Sequence, residues 1–168
     1  MNLSRKTRLI MKTDTDPLIQ KYAAGPELLR AAVTGMTREE VLAHPIPGKW
    51  STLELVCHLA DFEPIYADRM KRVIAEDRPA LPSGDPNVFA AHLAYQEREL
   101  EEELALIEIT RRQMVRILST LRPAAFARTG RHSADGDLTL EVLLSRIEHH
   151  IPHHVQFVAE KRKALAAR

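Results

Sequence analysis

The sequence predicts an all-α protein in which four long helices pack as a bundle. Apolar residues recur at three- to four-residue intervals in four long segments, which is the period of a helix with one buried face. Helix-capping sequences precede several of these segments, and no run of alternating apolar and polar residues indicates a strand. A chain of 168 residues is long enough for one domain with a sizeable core.

The first helix is expected to follow a polar N-terminal segment. Residues 1–15 carry four cations and no apolar run, so we expect a polar lead-in and not a signal peptide, with a single domain over residues 16–168. Asp16-Pro17 is typical of an N-cap followed by proline at the first helical position. Gly25-Pro26 predicts a kink or break in this helix, which should end near Gly35.

Two capping boxes mark the next helix starts. The first spans Thr37 to Glu40 and predicts a short helix. The second spans Ser51 to Glu54 and opens a long helix that should run to about Glu76, before Arg78-Pro79. The apolar stripe of this long helix is Leu55, Leu59, Phe62, Tyr66, Met70 and Val73. His58 lies about 60° from Leu55 around the helix axis, on the edge of that stripe.

A long connection separates the second and third long helices. Residues 77–95 are rich in Pro, Gly, Asp and Asn, and a connection of this length indicates a crossover or a functional loop. It is long enough to carry the chain back along the bundle, so the second and third long helices are expected to run parallel. The third long helix is predicted over residues 96–121. Arg111 falls near the centre of its apolar stripe. We expect its guanidinium to snorkel to the surface, with an anion contact inside a pocket as the alternative.

The last helix carries four of the eight histidines. Caps at Asp137 to Thr139 should start it, and it should extend to about Ala166. His150 and His154 lie on its apolar face, whereas His149 and His153 point nearly the opposite way. A lone buried histidine is usually satisfied by protein partners. Two rings at i and i+4 would need partners for four nitrogens, and one metal ion satisfies a nitrogen on each ring.

Pro152 lies within this helix, beside the inward-facing histidine pair. A proline inside a helix removes one backbone hydrogen bond and bends the axis. The bend either helps to shape a site or is tolerated as a local distortion. The sequence leaves both interpretations open.

Composition excludes several function classes. The formal net charge of +1 gives no indication of nucleic-acid binding, and no apolar run approaches membrane-spanning length. A single cysteine, Cys57, rules out an internal disulfide framework and is typical of a cytoplasmic protein. Cys57 points away from His58 on its helix, so we interpret it as a small buried residue.

Two motifs resemble those of the DinB/YfiT-like superfamily, in the same order and with a match that covers roughly residues 16–165. The second-helix motif is Gly48-Lys49-Trp50-Ser51, then Glu54 and Cys57-His58-Leu59-Ala60-Asp61. The last-helix motif is Gly130-Arg131-His132, Gly136, Leu138-Thr139-Leu140 and His150-Ile151-Pro152-His153-His154-Val155-Gln156. The resemblance implies a four-helix bundle with a long crossover between helices 2 and 3, commonly a homodimer. It also implies a divalent metal, often zinc or nickel, held by His58, His150 and His154.

The resemblance leaves the reaction open. Its members include S-transferases and isomerases that use low-molecular-weight thiols, and others are described as metal-dependent hydrolases. Three neutral imidazoles leave a coordination position open, which is the catalytic pattern. That position would serve either reaction, and we expect S-transfer from a low-molecular-weight thiol to a small electrophile. Hydrolysis, or a non-catalytic metal-binding or stress-response bundle, is the alternative.

Three further residues are candidates for roles in catalysis. Glu54 and Asp61 lie one turn before and after His58, so either could accept a hydrogen bond from a ligand histidine. The alternatives are a capping role for Glu54 and a surface role for Asp61. Arg111, if it faced the cleft, could hold a carboxylate of the thiol or substrate.

Overall fold

A computed structural model describes residues 16–167, so the lead-in predicted for residues 1–15 lies outside the described residues. The helices are α1 (Asp16–Val33), α2 (Arg38–Leu42), α3 (Thr52–Ala75), α4 (Pro86–His92), α5 (Leu100–Leu118) and α6 (Leu140–Ala166). The strands are β1 (Ala80–Leu81), β2 (Thr129–His132) and β3 (Gly136–Thr139). The long helices α1, α3, α5 and α6 form the bundle, which confirms the predicted fold class. Within residues 16–167, no helix is both long and apolar enough to cross a membrane.

The two main apolar clusters of the core give the helix directions. One contains Tyr22 of α1, Met70 of α3, Met114 of α5 and Leu143 of α6. The other contains Leu29 of α1, Leu59 of α3, Ile107 of α5 and Val158 of α6. Along α1 and α6 the chain passes from the first cluster to the second, and along α3 and α5 it passes the other way. Consequently α3 and α5 run parallel, and the segment between them must return the chain along the bundle, as the fold class predicts.

The predicted starts of α2, α3 and α6 are present. The Thr37 hydroxyl and the Glu40 carboxylate form the capping box of α2. At the start of α3, the Glu54 amide donates to Ser51 Oγ at 3.1 Å and the Ser51 amide donates to Glu54 Oε2 at 2.6 Å. Thr139 caps α6 by accepting from the Val142 amide at 3.1 Å. These caps satisfy amides that have no partner within the helix, and they set where each helix begins.

Helix α1 is continuous through Gly25-Pro26, so of the predicted kink or break the break is wrong, and the kink stays a prediction. Proline has no N–H, and Pro26 therefore leaves the Tyr22 carbonyl without its usual helical donor. Arg111 Nη1 supplies that donor at 2.9 Å. A Cβ on Gly25 would lie 2.0 Å from the same Nη1 atom, so glycine provides the space that the guanidinium occupies.

The crossover is held by a small sheet that the sequence did not predict. Strand β1 pairs in parallel with β2, and β2 pairs antiparallel with β3. The sheet joins the crossover to the loop before α6. Gly130 fits closely here, because a Cβ would lie 2.8 Å from Leu81 Cδ1 and 2.9 Å from Val73 Cγ2. Strands of two to four residues are too short to show an alternating pattern.

The end of the crossover also makes α5 shorter than predicted. Residues 95–97 form a 3-10 turn, Arg98 is extended, and α5 begins at Leu100. The Arg98 guanidinium donates to both oxygens of Asp61, at 2.9 and 3.1 Å, and to Glu103. These bonds to α3 and α5 hold residue 98 outside the helix.

Arg111 is buried at the centre of the bundle, so the predicted snorkelling is wrong. Its guanidinium donates to the Glu63 carboxylate of α3, to the Tyr22 carbonyl of α1 and, at 2.8 Å, to the Ile147 carbonyl of α6. The Tyr22 hydroxyl donates to Glu63 at 3.2 Å, and the Tyr22 ring lies 4.5 Å from the guanidinium carbon. One side chain of α5 therefore bonds to each of the other three long helices.

Replacing Arg111 with Met is expected to lower the free energy of unfolding by about 3–5 kcal/mol, because Glu63 would be left buried without its partner. Chemical denaturation measures this change. The control is Arg112→Met, since Arg112 is exposed on the same helix, and its effect should stay within about 0.5 kcal/mol. Combining Arg111→Met with Glu63→Leu should recover part of the loss. Equal effects of Arg111→Met and Arg112→Met would contradict the central role of this ion pair.

Candidate metal centre

Two helices bring three histidines together. His58 comes from α3, and His150 and His154 come from successive turns of α6. One ring nitrogen from each histidine lies within 4.8 Å of the other two, and the Nε2 atoms of His58 and His150 are 2.9 Å apart. His58 is buried and the other two rings are half-buried. These are the three residues that the helix faces and the family resemblance select.

Burial keeps the three imidazoles uncharged. It lowers the pKa of His58 and of His154 to about 4. The pKa of His150 falls to about 2, first through burial and then through the neighbouring His58 and His154 rings. Neutral imidazole is the form that binds a metal, because its ring nitrogen has a free lone pair. At neutral pH the cluster is therefore ready to accept a cation.

The donor set fits a divalent metal. Ligand nitrogens at 2.0–2.1 Å from a tetrahedral zinc are about 3.3 Å apart. The His58 and His150 nitrogens are 2.9 Å apart, and none of the three separations in the cluster exceeds 4.8 Å. The Nδ1 atoms of His58, His150 and His154 are buried and have no hydrogen-bond partner among the described residues. Protein contacts alone thus leave the three rings incompletely satisfied, and a metal would use one nitrogen of each. Ligation by these residues stays a prediction.

The cluster lies beside an open cleft. This cleft has a volume of about 440 Å³, and its walls include Trp50, His154, Phe157 and Lys161. The Trp50 ring centre is 5.2 Å from that of His58, and the Phe62 ring centre lies 4.8 Å from it. Aromatic rings therefore surround His58, while His154 connects the cluster to the cleft.

The other two histidines of α6 face outward. His149 and His153 are exposed, and their rings stack with centres 6.3 Å apart. α6 is continuous across Pro152, so the two halves of the helix keep the face assignment predicted from the sequence. Cys57 is also separated from the site. It is fully buried, its thiol lies 3.7 Å from the Tyr95 carbonyl, and burial raises its pKa to about 12.

The expected hydrogen bond from Glu54 or Asp61 to a ligand histidine is absent from the described residues, so that prediction is wrong. Glu54 accepts from the Ser51 amide and, at 2.6 Å, from Gln96 Nε2. Asp61 is held by Arg98. Both carboxylates are thus engaged in capping α3 and in attaching the crossover.

The carboxylate-binding role predicted for Arg111 is also unsupported, because Glu63 already occupies its guanidinium. Burial raises the pKa of the Glu63 carboxyl, and the Arg111 charge opposes that rise. Lys161 lies in the wall of the cleft and was not among the site residues predicted from the sequence. Its position could have identified it, because a residue seven positions after His154 lies on the same face of α6.

Replacing His58, His150 or His154 with Ala should each lower zinc affinity by more than about 100-fold, since even indirect partners of metal ligands contribute 10- to 100-fold. His149→Ala and His153→Ala are matched controls on the same helix and should retain the metal. Calorimetric titration with Zn²⁺, or metal analysis of the purified protein, measures the difference. Loss of the metal in the two controls, with retention in His150→Ala, would show that the face assignment is wrong.

Comparison with known proteins places this geometry in a family. The family model of the DinB superfamily matches residues 21–158. A candidate metal-dependent hydrolase of Geobacillus kaustophilus (strain HTA426), GK0616, is 30% identical over 139 residues, covering 82% of this chain and 78% of the relative. YfiT of Bacillus subtilis (strain 168), also named as a candidate metal-dependent hydrolase, is 27% identical over 152 residues, covering 90% and 85%.

Two solved structures share the fold. YfiT from Bacillus subtilis, described as having an unusual four-helix bundle topology, superposes with a TM-score of 0.83 at 24% identity, over 99% of this chain and 93% of its own. The four-helix bundle protein TT2238 superposes with a TM-score of 0.62 at 21% identity, over 86% and 98%. The matched residues include all of α3 and the part of α6 that carries His150 and His154. The chain belongs to the DinB superfamily.

Proposed function

We propose that the protein is a metal-dependent enzyme that transfers a low-molecular-weight thiol to an electrophilic small molecule. His58, His150 and His154 would hold the divalent metal, with zinc or nickel as the candidates. The observation that carries the proposal is the open cleft at His154, because it gives a small molecule access to the three-histidine cluster. A bundle that only stored a metal would need an entry path for the ion, but not a cleft of about 440 Å³.

A bound divalent metal supplies Lewis acidity, which lowers the pKa of a thiol or water that it binds. The protein's own groups would position the reactants. Three uncharged imidazoles contribute no positive charge that would repel the metal. Trp50 and Phe157 provide apolar walls against which an electrophile can pack. In the transfer itself, the thiol loses its proton to solvent, its sulfur forms a bond to the electrophilic carbon, and the leaving group departs with its bonding electrons.

Hydrolysis is the second candidate, and the names of the relatives favour it. YfiT and GK0616 are both named as candidate metal-dependent hydrolases. The same cleft and the same three histidines would serve either reaction. The two candidates differ in the nucleophile, since a hydrolase uses water and needs no thiol.

The same proposal includes a homodimer in the cytoplasm. The homodimer rests on the family resemblance, and the location is supported by a single buried cysteine, which is common in reducing compartments. Light scattering of the purified protein should give about twice the chain mass of 19.0 kDa. A mass of one chain would contradict the dimer.

Zinc- or nickel-loaded protein is expected to consume a generic electrophile such as 1-chloro-2,4-dinitrobenzene only when a thiol is added. Glutathione, bacillithiol and mycothiol are tested in parallel, with absorbance of the thioether as the measurement. His150→Ala should reduce the rate at least about 100-fold, because it removes a predicted ligand, whereas His149→Ala should not. The decisive comparison uses p-nitrophenyl acetate. Thiol-independent ester cleavage that is lost in His150→Ala would favour hydrolysis, and no turnover of any substrate would favour a metal-binding bundle.

A further inference from the structure

Lys161 is a buried cation in the wall of the cleft. It is 4% exposed, although it lies near the C-terminal end of α6, where its neighbours Arg162 and Lys163 are exposed. It follows His154 by seven residues, which is close to two helical turns, so both side chains leave the same face of the helix. The ammonium therefore lies in the same cleft as His154, further along α6, and not on the outer surface of the bundle.

The Lys161 ammonium is poorly satisfied by the protein. It has three N–H donors, and its one hydrogen bond is a long contact of 3.4 Å to the Phe157 carbonyl, which also serves the helix backbone. Within the described part of the chain, no carboxylate lies within ion-pair distance of Nζ. Burial lowers the pKa of Lys161, and the charge of Glu160 opposes that shift. A buried ammonium that has one long hydrogen bond and no anionic partner is unfavourable unless an anion pairs with it.

The remaining charges of the cleft also favour an anion. Lys49 also lines the cleft and is exposed, and Glu160 is the acidic residue among those that line it. Among the residues that line the cleft, two cations therefore face one carboxylate, which is exposed while Lys161 is buried. The charge of Glu54 also acts on Lys161, but Glu54 does not line the cleft and already accepts hydrogen bonds from the Ser51 amide and Gln96. Asn87 adds an amide that can donate to an anion at the rim.

The separation of Lys161 from the histidines sets the distance that a ligand must span to reach both. The contact with the Phe157 carbonyl places the ammonium between one and two helical turns beyond His154. At 1.5 Å per residue this corresponds to about 5–10 Å along the helix axis. A small molecule that reaches the cluster with one end can therefore reach Lys161 with an anionic group a few bonds away.

We propose that the cleft binds a carboxylate of its ligand through Lys161, with Lys49 as a second, exposed contact. The assignment to the thiol, and not to another ligand, rests on the proposed S-transfer function. In that reaction the thiol substrate carries a carboxylate, which pairs with Lys161 while the sulfur lies at the histidine cluster. Charge pairing with a buried ammonium then selects acidic thiols over uncharged ones.

The test compares two probes that cannot act as thiols, S-methylglutathione and its dimethyl ester. The full-length protein is incubated with Zn²⁺, and binding is followed through Trp50, the single tryptophan of the sequence, which lines the cleft. The wild type should bind the free acid at least about tenfold more tightly than the ester, as expected for a charge-assisted hydrogen bond. The two probes have the same backbone, so this ratio isolates the carboxylates.

Substitutions identify the residue responsible. Lys161→Met should abolish the preference for the acid, and Lys161→Arg should retain much of it by restoring the charge. The matched control is Lys163→Met, because Lys163 is exposed two residues further along α6 and should leave the ratio unchanged. Circular dichroism checks folding, and Lys161→Gln replaces the Met variant if that variant does not fold. Equal binding of acid and ester by the wild type, or an acid preference that survives in the folded Lys161 variants lacking the charge, would overturn the proposal.

Failure of this inference and failure of the proposed function give different results. If S-transfer is wrong, no thiol reacts, yet the acid preference and its dependence on Lys161 remain. If the carboxylate site is wrong, transfer still occurs, but uncharged 2-mercaptoethanol is used as efficiently as glutathione and the acid and ester probes bind equally. The binding measurement therefore tests the anion site without requiring turnover.

Discussion

The buried ion pair between Arg111 and Glu63 is the interaction on which the bundle depends. A charged pair inside a protein is tolerated when every donor and acceptor has a partner, because the cost of removing it from water is otherwise not recovered. Here the remaining guanidinium donors reach the carbonyls of Tyr22 and Ile147, so the requirement is met by groups from all four long helices. Gly25 provides space for the guanidinium. The arrangement fixes how the helices approach one another near the middle of the core.

This constraint also positions the histidine cluster. The Ile147 carbonyl that Arg111 binds is one turn before His150, and Glu63 is just over one turn after His58. The same buried pair thus anchors both helices that supply the three rings. The carboxylates nearest to His58 in the sequence have other tasks, since Glu54 caps α3 and Asp61 holds Arg98 of the crossover. The rings are oriented by packing against Trp50, Phe62 and one another, without a carboxylate bonded to their Nδ1 atoms.

The Arg111–Glu63 pair and the cleft with its histidine cluster differ in how their charges are balanced. At Arg111 each charge has an opposite partner, and the site is complete without a ligand. Beside the cleft, the three uncharged imidazoles offer lone pairs to a cation. In the wall of the cleft, the buried Lys161 ammonium offers N–H donors to an anion. A site that is incomplete in both respects suits a ligand that brings both partners. A divalent metal together with an acidic thiol has this composition, which unites the proposed reaction with the proposed role of Lys161.

The sequence by itself determined the features that depend on local spacing. The capping boxes at Thr37 and Ser51, and the separation of His150 and His154 from His149 and His153, follow from helical geometry alone. The tertiary structure decided which groups meet across helices. The burial of Arg111, the continuity of α1 at Pro26 and the small sheet of the crossover each require a partner distant in sequence. Glu54 and Asp61 were assigned to the histidines because they are neighbours on one helix, but Gln96 and Arg98 of the crossover bind them in the folded chain. Spacing along a helix reports which face a side chain occupies, and it does not report what that face packs against.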